Sequence, residues 1–396
     1  MLIAQSGGPT MVINQSLIGA IKEAGRHPAI RNIYGSLHGI QGILDQDFID
    51  LSRESDSTLE AVAVTPSSML GSVRKKPTAR DCQSMFTIMK RYDIRYFFYI
   101  GGNDSAETTL IINEEAKRSH YDFRCYHICK TIDNDLREND HTPGFGSGAR
   151  FVALAFMGDN LDNRALPGVK INIVMGRHAG FLTAASALAR QYPDDGPHLI
   201  YLPERSFSMN RFVADVKRVV HQHGRCVVAV SEGIADHRGK PILPENGGRV
   251  DSHGNVQLSG TGALGDILAA EIEEKTKIQR IRADTFGYLQ RSFVGIYSEV
   301  DAREAREAGR KAVQFAVNGS HHGSVAIKRK PGKKYQVTYR RVPLKNVAKE
   351  TRHMPDAFIA DGGNDVTPAF IRYATPLVGK LPKVGRFRNY RVPPAQ

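Results

Sequence analysis

Short apolar runs that stop at glycine recur along this chain, and most lead into a stretch of helical periodicity. Leu2 to Gln5 stops at Ser6, Gly7 and Gly8 and is followed by a helix. Tyr96 to Ile100 stops at Gly101 and Gly102, and Ala106 to Arg118 continues as an amphipathic helix. Phe123 to Cys129, Val169 to Val174, His198 to Glu204 and Arg225 to Gly233 read as further strands. Helical patterns cover Asp81 to Tyr92, the stretch from Gly148 onward, the residues after the Met175 to Arg177 turn as far as Gln191, Asn210 to Gln222, Gly262 to Lys277 and Ala302 to Val317. Continuous rather than alternating apolar strands, separated by helices, predict α/β architecture with parallel sheets buried on both faces. Ile30 to Leu44 reads as a strand and a glycine-punctuated loop, and Thr65 to Pro77 as a loop. One stretch departs from this rhythm: Ser324 to Val342 predicts a hairpin turning at Pro331 and Gly332.

A chain of 396 residues has room for two domains, and 41% hydrophobic with 24% charged residues is ordinary for a globular protein. No apolar run reaches the ~18 residues of a membrane span, and the N-terminus lacks the basic region of a signal peptide. The four cysteines form no CxxC pair and no zinc spacing, which fits a reduced, cytoplasmic setting. The formal charge of +13 admits nucleic acid, anionic small substrates or a solvated basic surface. Nucleic acid is the weakest of these, because no aromatics interleave with the arginines.

Candidate chemistry collects at the strand ends, where open α/β sheets place their ligands. Gly101 and Gly102 allow close backbone approach, and a strand–turn–helix junction gathers free N–H groups and the helix dipole into an anion cradle. Ser105 stands where an N-cap is expected, and the polar pair Asn103 and Asp104 points to an anion that arrives with a cation. Gly8, in the first turn, is a weaker candidate of the same kind. The loop with Gly71, Ser72, Arg74, Lys75 and Lys76 reads equally as a phosphate clamp or a solvated basic loop. Lys130, Asp133, Asn134 and Asp135 follow the strand ending at Cys129, a set suited to general-base and metal work around phosphates. Arg177, in the turn with Met175 and Gly176, would face an anion across the cleft. Glu232 would accept sugar hydroxyls or cap a helix. Arg282 and Arg291 flank Tyr288 and Gln290 and suit bidentate phosphate recognition. His141 to Arg150 holds GxGxG, not the dinucleotide fingerprint, and no Walker A motif occurs. A second Gly-Gly-Asn-Asp, at Gly362 to Asp365, is taken as coincidence.

GGNDS (Gly101 to Ser105), KTIDND (Lys130 to Asp135), MGRHAG (Met175 to Gly180), SEG (Ser231 to Gly233) and GYLQRS (Gly287 to Ser292) together resemble the phosphofructokinase family, in its order and spacing. The chain is similar to the pyrophosphate-dependent branch: ATP-using relatives carry glycine where this chain has Asp104, and again where it has Lys130. Asp104 would fill the space and reproduce the charge of a nucleotide's α-phosphate, and Lys130 would restore positive charge beside the transferring group. The resemblance implies two Rossmann-like lobes with parallel-rich sheets and an active-site cleft between them. It assigns residues 1–144 plus about 295–345 to the phosphoryl-donor lobe, and 145–294 plus about 346–396 to the sugar-phosphate lobe.

The reaction implied is Mg²⁺-dependent, reversible phosphoryl transfer from diphosphate to the C1 hydroxyl of fructose 6-phosphate, in a homodimer or higher homo-oligomer. Asp133 would be the base, with Lys130 and Asp104 serving diphosphate catalysis. Gly8 and Arg74 would bind diphosphate, and Asn103 and Asp135 the metal. Thr131, Ile132, Asp133, Met175, Gly176, Arg177, Glu232, Arg282, Tyr288, Leu289, Gln290 and Arg291 would hold the sugar phosphate. The chain departs from ATP-using relatives in a neutral Asn103, in GGPT at the first turn, and in Gly168 where bacterial members have an arginine, with Lys170 nearby. An ATP-dependent sugar-phosphate kinase is the alternative enzyme, and a silent regulatory paralogue the non-enzyme one. An NAD kinase would not explain MGR or GYLQR.

Overall fold

The computed structural model describes residues 1–243, 262–319, 322–332, 334–348, 350–388, 390–392 and 394. Seven strands form one sheet: β1 (Leu2–Gln5), β2 (Tyr34–Ser36), β3 (Phe48–Asp50), β4 (Tyr96–Gly101), β5 (Arg124–Cys129), and, after a long excursion, β10 (His322–Arg329) and β11 (Val337–Val342). The other four make a second sheet: β6 (Val169–Val174), β7 (Leu199–Tyr201), β8 (Cys226–Ser231) and β9 (Ile281–Thr285). The first sheet runs β11-β10-β5-β4-β1-β2-β3 and the second β7-β8-β6-β9. Pairing is parallel throughout the second sheet and within the first, where only the edge strands β3 and β11 run antiparallel.

Helices on both faces explain the continuous apolar runs. In β4, Phe98 and Ile100 enter one core, while Phe97 and Tyr99 enter the core on the opposite face; all four are fully buried. Each such burial contributes about 1.5–3 kcal/mol. Strand β8 divides likewise, with Val227 and Ala229 on one side and Cys226, Val228 and Val230 on the other. The helices Ile13–Ala24 and Glu299–Val317 cross closely enough to demand glycine. A Cβ at Gly19 would stand 2.0 Å from the Arg306 carbonyl oxygen, and one at Gly309 2.0 Å from that of Ser16.

The second sheet is entered through the helix Phe145–Ala165, whose N-terminal amides are held by a buried acid. Asp301 accepts from the N–H groups of Gly144 (2.9 Å) and Ser147 (2.8 Å). The chain ends on the same core: Met354, Ile359, Phe370 and Leu377 pack with Phe145, Phe156 and Phe181.

Three expectations change. Gly39–Asp45 is a short helix, not a loop, with its glycines forced by packing: a Cβ at Gly42 would lie 1.8 Å from the Leu37 oxygen. After β6 the expected long helix is a four-residue turn, Phe181–Ala184, followed by a 3₁₀ segment, Ala185–Ala189. Ser105 is not an N-cap, because the helix begins earlier, at Asn103, with Gly102 as its cap. Ser105 instead packs under Gly101, where a Cβ would come within 1.9 Å of its Oγ.

Candidate active site

The carboxyl ends of β1, β4 and β5 in one sheet and of β6 and β8 in the other face a shared cleft of about 490 Å³. Parallel strands point their exit loops the same way, which is how distant motifs meet here. Gly8, Arg74, Asn103, Asp104, Lys130, Thr131, Ile132, Asp133, Asp135, Met175, Arg177, Glu232, Tyr288 and Arg291 all line it.

Lys130 leaves the end of β5 and is 2% exposed. Its ammonium donates to the carbonyl oxygens of Ser6 (3.0 Å) and Gly8 (2.6 Å), fastening the first glycine turn. Burial, then the nearby Arg291 guanidinium, pulls its pKa down to about 7. The helix beginning at Asn103 presents Asp104 in its first turn, exposed to the cleft.

Asp133 sits between charges. Burial raises its pKa, opposed first by Arg177 and then by Lys130, Arg291 and Arg74. Asp133 thus shares the cleft with four cations supplied by separate loops, each of which opposes the effect of burial. Asp135 is pushed up to about 7 by burial and by the charge of Asp133. It accepts 2.8 Å from the Asn103 amide nitrogen. The other end of that amide, Asn103 Oδ1, is buried with no hydrogen-bond partner, and so is Arg291 Nε. Buried polar groups without partners mark places where a ligand, ion or water completes the bonding. Among the described residues, no three His, Cys, Asp or Glu side chains form a metal-holding group. Asn103 Oδ1 beside the Asp135 carboxylate thus fits a hard cation that brings its own oxygen ligands.

Arg291 lies 4.5 Å over the Tyr288 ring and reaches the other lobe's turn, where a Cβ on Gly8 would sit 2.8 Å from its Nη1. Gly176, Arg282, Leu289 and Gln290 do not line the cleft. Gly176 is needed for its backbone, with φ +128° and the Ala179 oxygen 2.5 Å from any Cβ. Gln290 is buried and accepts from the Met175 N–H at 3.2 Å, so it positions the MGR turn from behind. Arg282 is exposed on β9 and Leu289 is 59% exposed. Lys170 is taken up by ion pairs with Asp284 and Asp159. Of the basic residues in that loop, Arg74 lines the cleft; Lys75 bonds Gln41 and Lys76 pairs with Glu107 at 2.6 Å. Gly362 to Asp365 lie elsewhere.

Sequence reasoning missed Glu107, His178 and Thr351, which also line the cleft. His178 directly follows Arg177 and was within reach of the motif. Thr351 carried no signal, being a lone threonine in the C-terminal stretch.

A buried ammonium at a glycine turn, arginines converging on a carboxylate and a helix start aimed into the same space define a phosphoryl-transfer site. Residues 1–316 match the phosphofructokinase family, and the chain belongs to it. It is 57% identical over 395 residues to the pyrophosphate–fructose 6-phosphate 1-phosphotransferase of Rhodospirillum rubrum, covering 99% of this chain and 97% of the relative. It is 38% identical over 394 residues to the enzyme of that name from Xanthomonas campestris, covering 96% and 92%. The crystal structure of the pyrophosphate-dependent phosphofructokinase of Marinobacter aquaeolei superposes with a TM-score of 0.86 at 32% identity, covering 100% of this chain and 97% of that one.

Proposed function

We infer that this chain reversibly transfers a phosphoryl group between diphosphate and the C1 hydroxyl of fructose 6-phosphate. The observation that carries the reading is the pairing of Asp104, exposed at the donor turn, with the buried Lys130 ammonium one strand away. An acid at that turn opposes a nucleotide's α-phosphate, whereas a lysine beside it favours a compact, highly charged donor.

Diphosphate lies against Gly8 and Arg74, with Lys130 beside the phosphoryl group in flight. The sugar phosphate is held by Arg177, Glu232, Tyr288 and Arg291, with Thr131, Ile132 and Met175 forming the floor. Residues 1–144 with about 295–345 serve the donor, and 145–294 with about 346–396 serve the sugar. The C1 oxygen attacks the nearer phosphorus as the bridging P–O bond breaks, and its proton passes to Asp133. Inorganic phosphate leaves and fructose 1,6-bisphosphate remains. Asn103 and Asp135 would hold Mg²⁺, which would supply neutralisation of donor charge.

Among the described residues no helix is long and apolar enough to cross a membrane, and all four cysteines are free and buried, in keeping with a cytoplasmic enzyme. A homodimer or larger homo-oligomer accords with the open edge of β9 and the exposed Leu289, Phe293 and Val294 beside it. Incubation of fructose 6-phosphate and Mg²⁺ with diphosphate or ATP in parallel, following fructose 1,6-bisphosphate, tests the reading. Product with diphosphate alone is expected. Product with ATP alone would overturn the donor, and product with neither would overturn the reaction.

A further inference from the structure

The family match ends at residue 316, yet the cleft and its catalytic loop are not finished there. The loop after β5, residues 130–144, carries Asp133 and Asp135 and is awkward to hold. Asn134 (φ +61°) and Glu138 (φ +62°) both adopt left-handed backbone, which is disfavoured for residues other than glycine. Such a conformation persists only when its surroundings dictate it.

Much of that constraint comes from Arg352. Its Nε and Nη2 both donate to the Asn134 carbonyl oxygen, at 3.2 and 2.7 Å. That carbonyl lies between the two acids. Its Nη1 donates to the carbonyl oxygens of Asp140 (3.0 Å) and Asn139, and its backbone N–H donates to the Asp135 oxygen at 2.7 Å. The guanidinium stacks 4.8 Å over the Phe181 ring, just beyond the turn that carries Arg177. The next two residues continue across: His353 Nδ1 donates to the His178 carbonyl oxygen at 2.8 Å, and the Met354 N–H to Glu204 at 3.0 Å. Glu204 also accepts from the Gly180 N–H at 2.8 Å. Residues 351–354 therefore tie the loop of Asp133 to the turn of Arg177, and Thr351 faces the cleft between them.

We propose that Arg352 is a positioning residue for phosphoryl transfer: it fixes the backbone between Asp133 and Asp135 and sets their distance from the sugar-phosphate arginine. The proposal rests on the reading that Asp133 accepts the C1 proton. It calls for a planar fork of donors, which a lysine ammonium does not reproduce. A small displacement of a reacting group lowers turnover about 10²-fold while leaving binding groups in place.

In the full-length protein, Arg352→Ala should lower kcat by about 10²-fold, with the KM values for both substrates within about threefold. Added guanidinium should recover part of the lost kcat. Amide exchange of residues 131–142 should quicken, with β4 and β5 unchanged. Should the alanine variant fail to fold, Arg352→Lys keeps the charge and stem, and should show the same exchange change and a loss in kcat rather than KM. Unchanged kcat, a loss that guanidinium does not relieve in the alanine variant, or unchanged exchange at 131–142 would each overturn the proposal. If the native protein turned over neither donor, the functional reading would fall, while the exchange comparison would still decide whether Arg352 holds the loop.

Discussion

Gly-Gly-Asn-Asp occurs twice in this chain, and the two copies have opposite fates. At Gly101 to Asp104 it joins a central strand to a sixteen-residue helix, and both polar side chains face the cleft. There Asn103 keeps a buried, unpartnered oxygen and Asp104 is exposed. At Gly362 to Asp365 it forms a turn and bend, set apart from the next helix, which starts only at Pro368, and structural bonds occupy the side chains. Asn364 donates to Asp215 at 2.8 Å, and Asp365 accepts both arms of Arg190 at 3.0 and 3.1 Å. The letters are the same; only the first copy joins a buried strand directly to the first turn of a helix, and that junction separates a ligand cradle from a latch.

The sharpest way to break this contrast is at Asp133, which lines the same cleft as the first copy. Asp133→Ser should lower turnover at least ~10³-fold with modest change in either KM, read from initial rates, as expected for removal of a proton acceptor. Arg291→Ala should raise the KM for fructose 6-phosphate by ~10-fold or more, exceeding its effect on diphosphate, because a charge-assisted contact to the sugar phosphate is lost. The direct test of the two copies uses the same change in each. Asp104→Gly should reduce kcat/KM for diphosphate about tenfold and begin to admit ATP. Asp365→Gly should leave donor choice untouched and lower stability by about 1 kcal/mol in thermal unfolding.

The smallest effect is in the pH profile. Raised carboxyl pKa values in the cleft mean that Asp133 and Asp135 take up protons as pH falls, so the forward rate should decline below about pH 7, where Asp135 titrates. Asp135→Asn removes the negative neighbour that opposes ionisation of Asp133. Residual activity should then keep its acid limb to lower pH.

The strand ends were legible because a parallel sheet buried on both faces leaves a crude but strong signature: four or more apolar residues running into glycine. That signature picks out the neighbourhoods of Asn103, Lys130, Arg177 and Glu232 from the sequence alone. It failed where packing overrules local pattern. The helix Gly39–Asp45 was hidden by glycines that exist for close contact. The segment after Arg177 is short and partly 3₁₀ because it is buried on every side. Arg282, grouped with Arg291 in the sequence, stands exposed on β9 and outside the lining of the cleft. Arg352 and Thr351 were unreadable for another reason. Their partners lie far back in the chain, and a single arginine followed by His353 has no period or spacing to reveal a bond to carbonyls.

Lys130 serves two surfaces, the cleft it lines and the Ser6 and Gly8 carbonyls it staples. Exchanging it for the glycine of nucleotide-using relatives would remove a charge and also unpin the turn on which any phosphate rests. An evolutionary path from one donor to the other therefore needs a new anchor for residues 6–8 before, or together with, the loss of the lysine. That requirement makes the energy currency of this enzyme hard to change one mutation at a time.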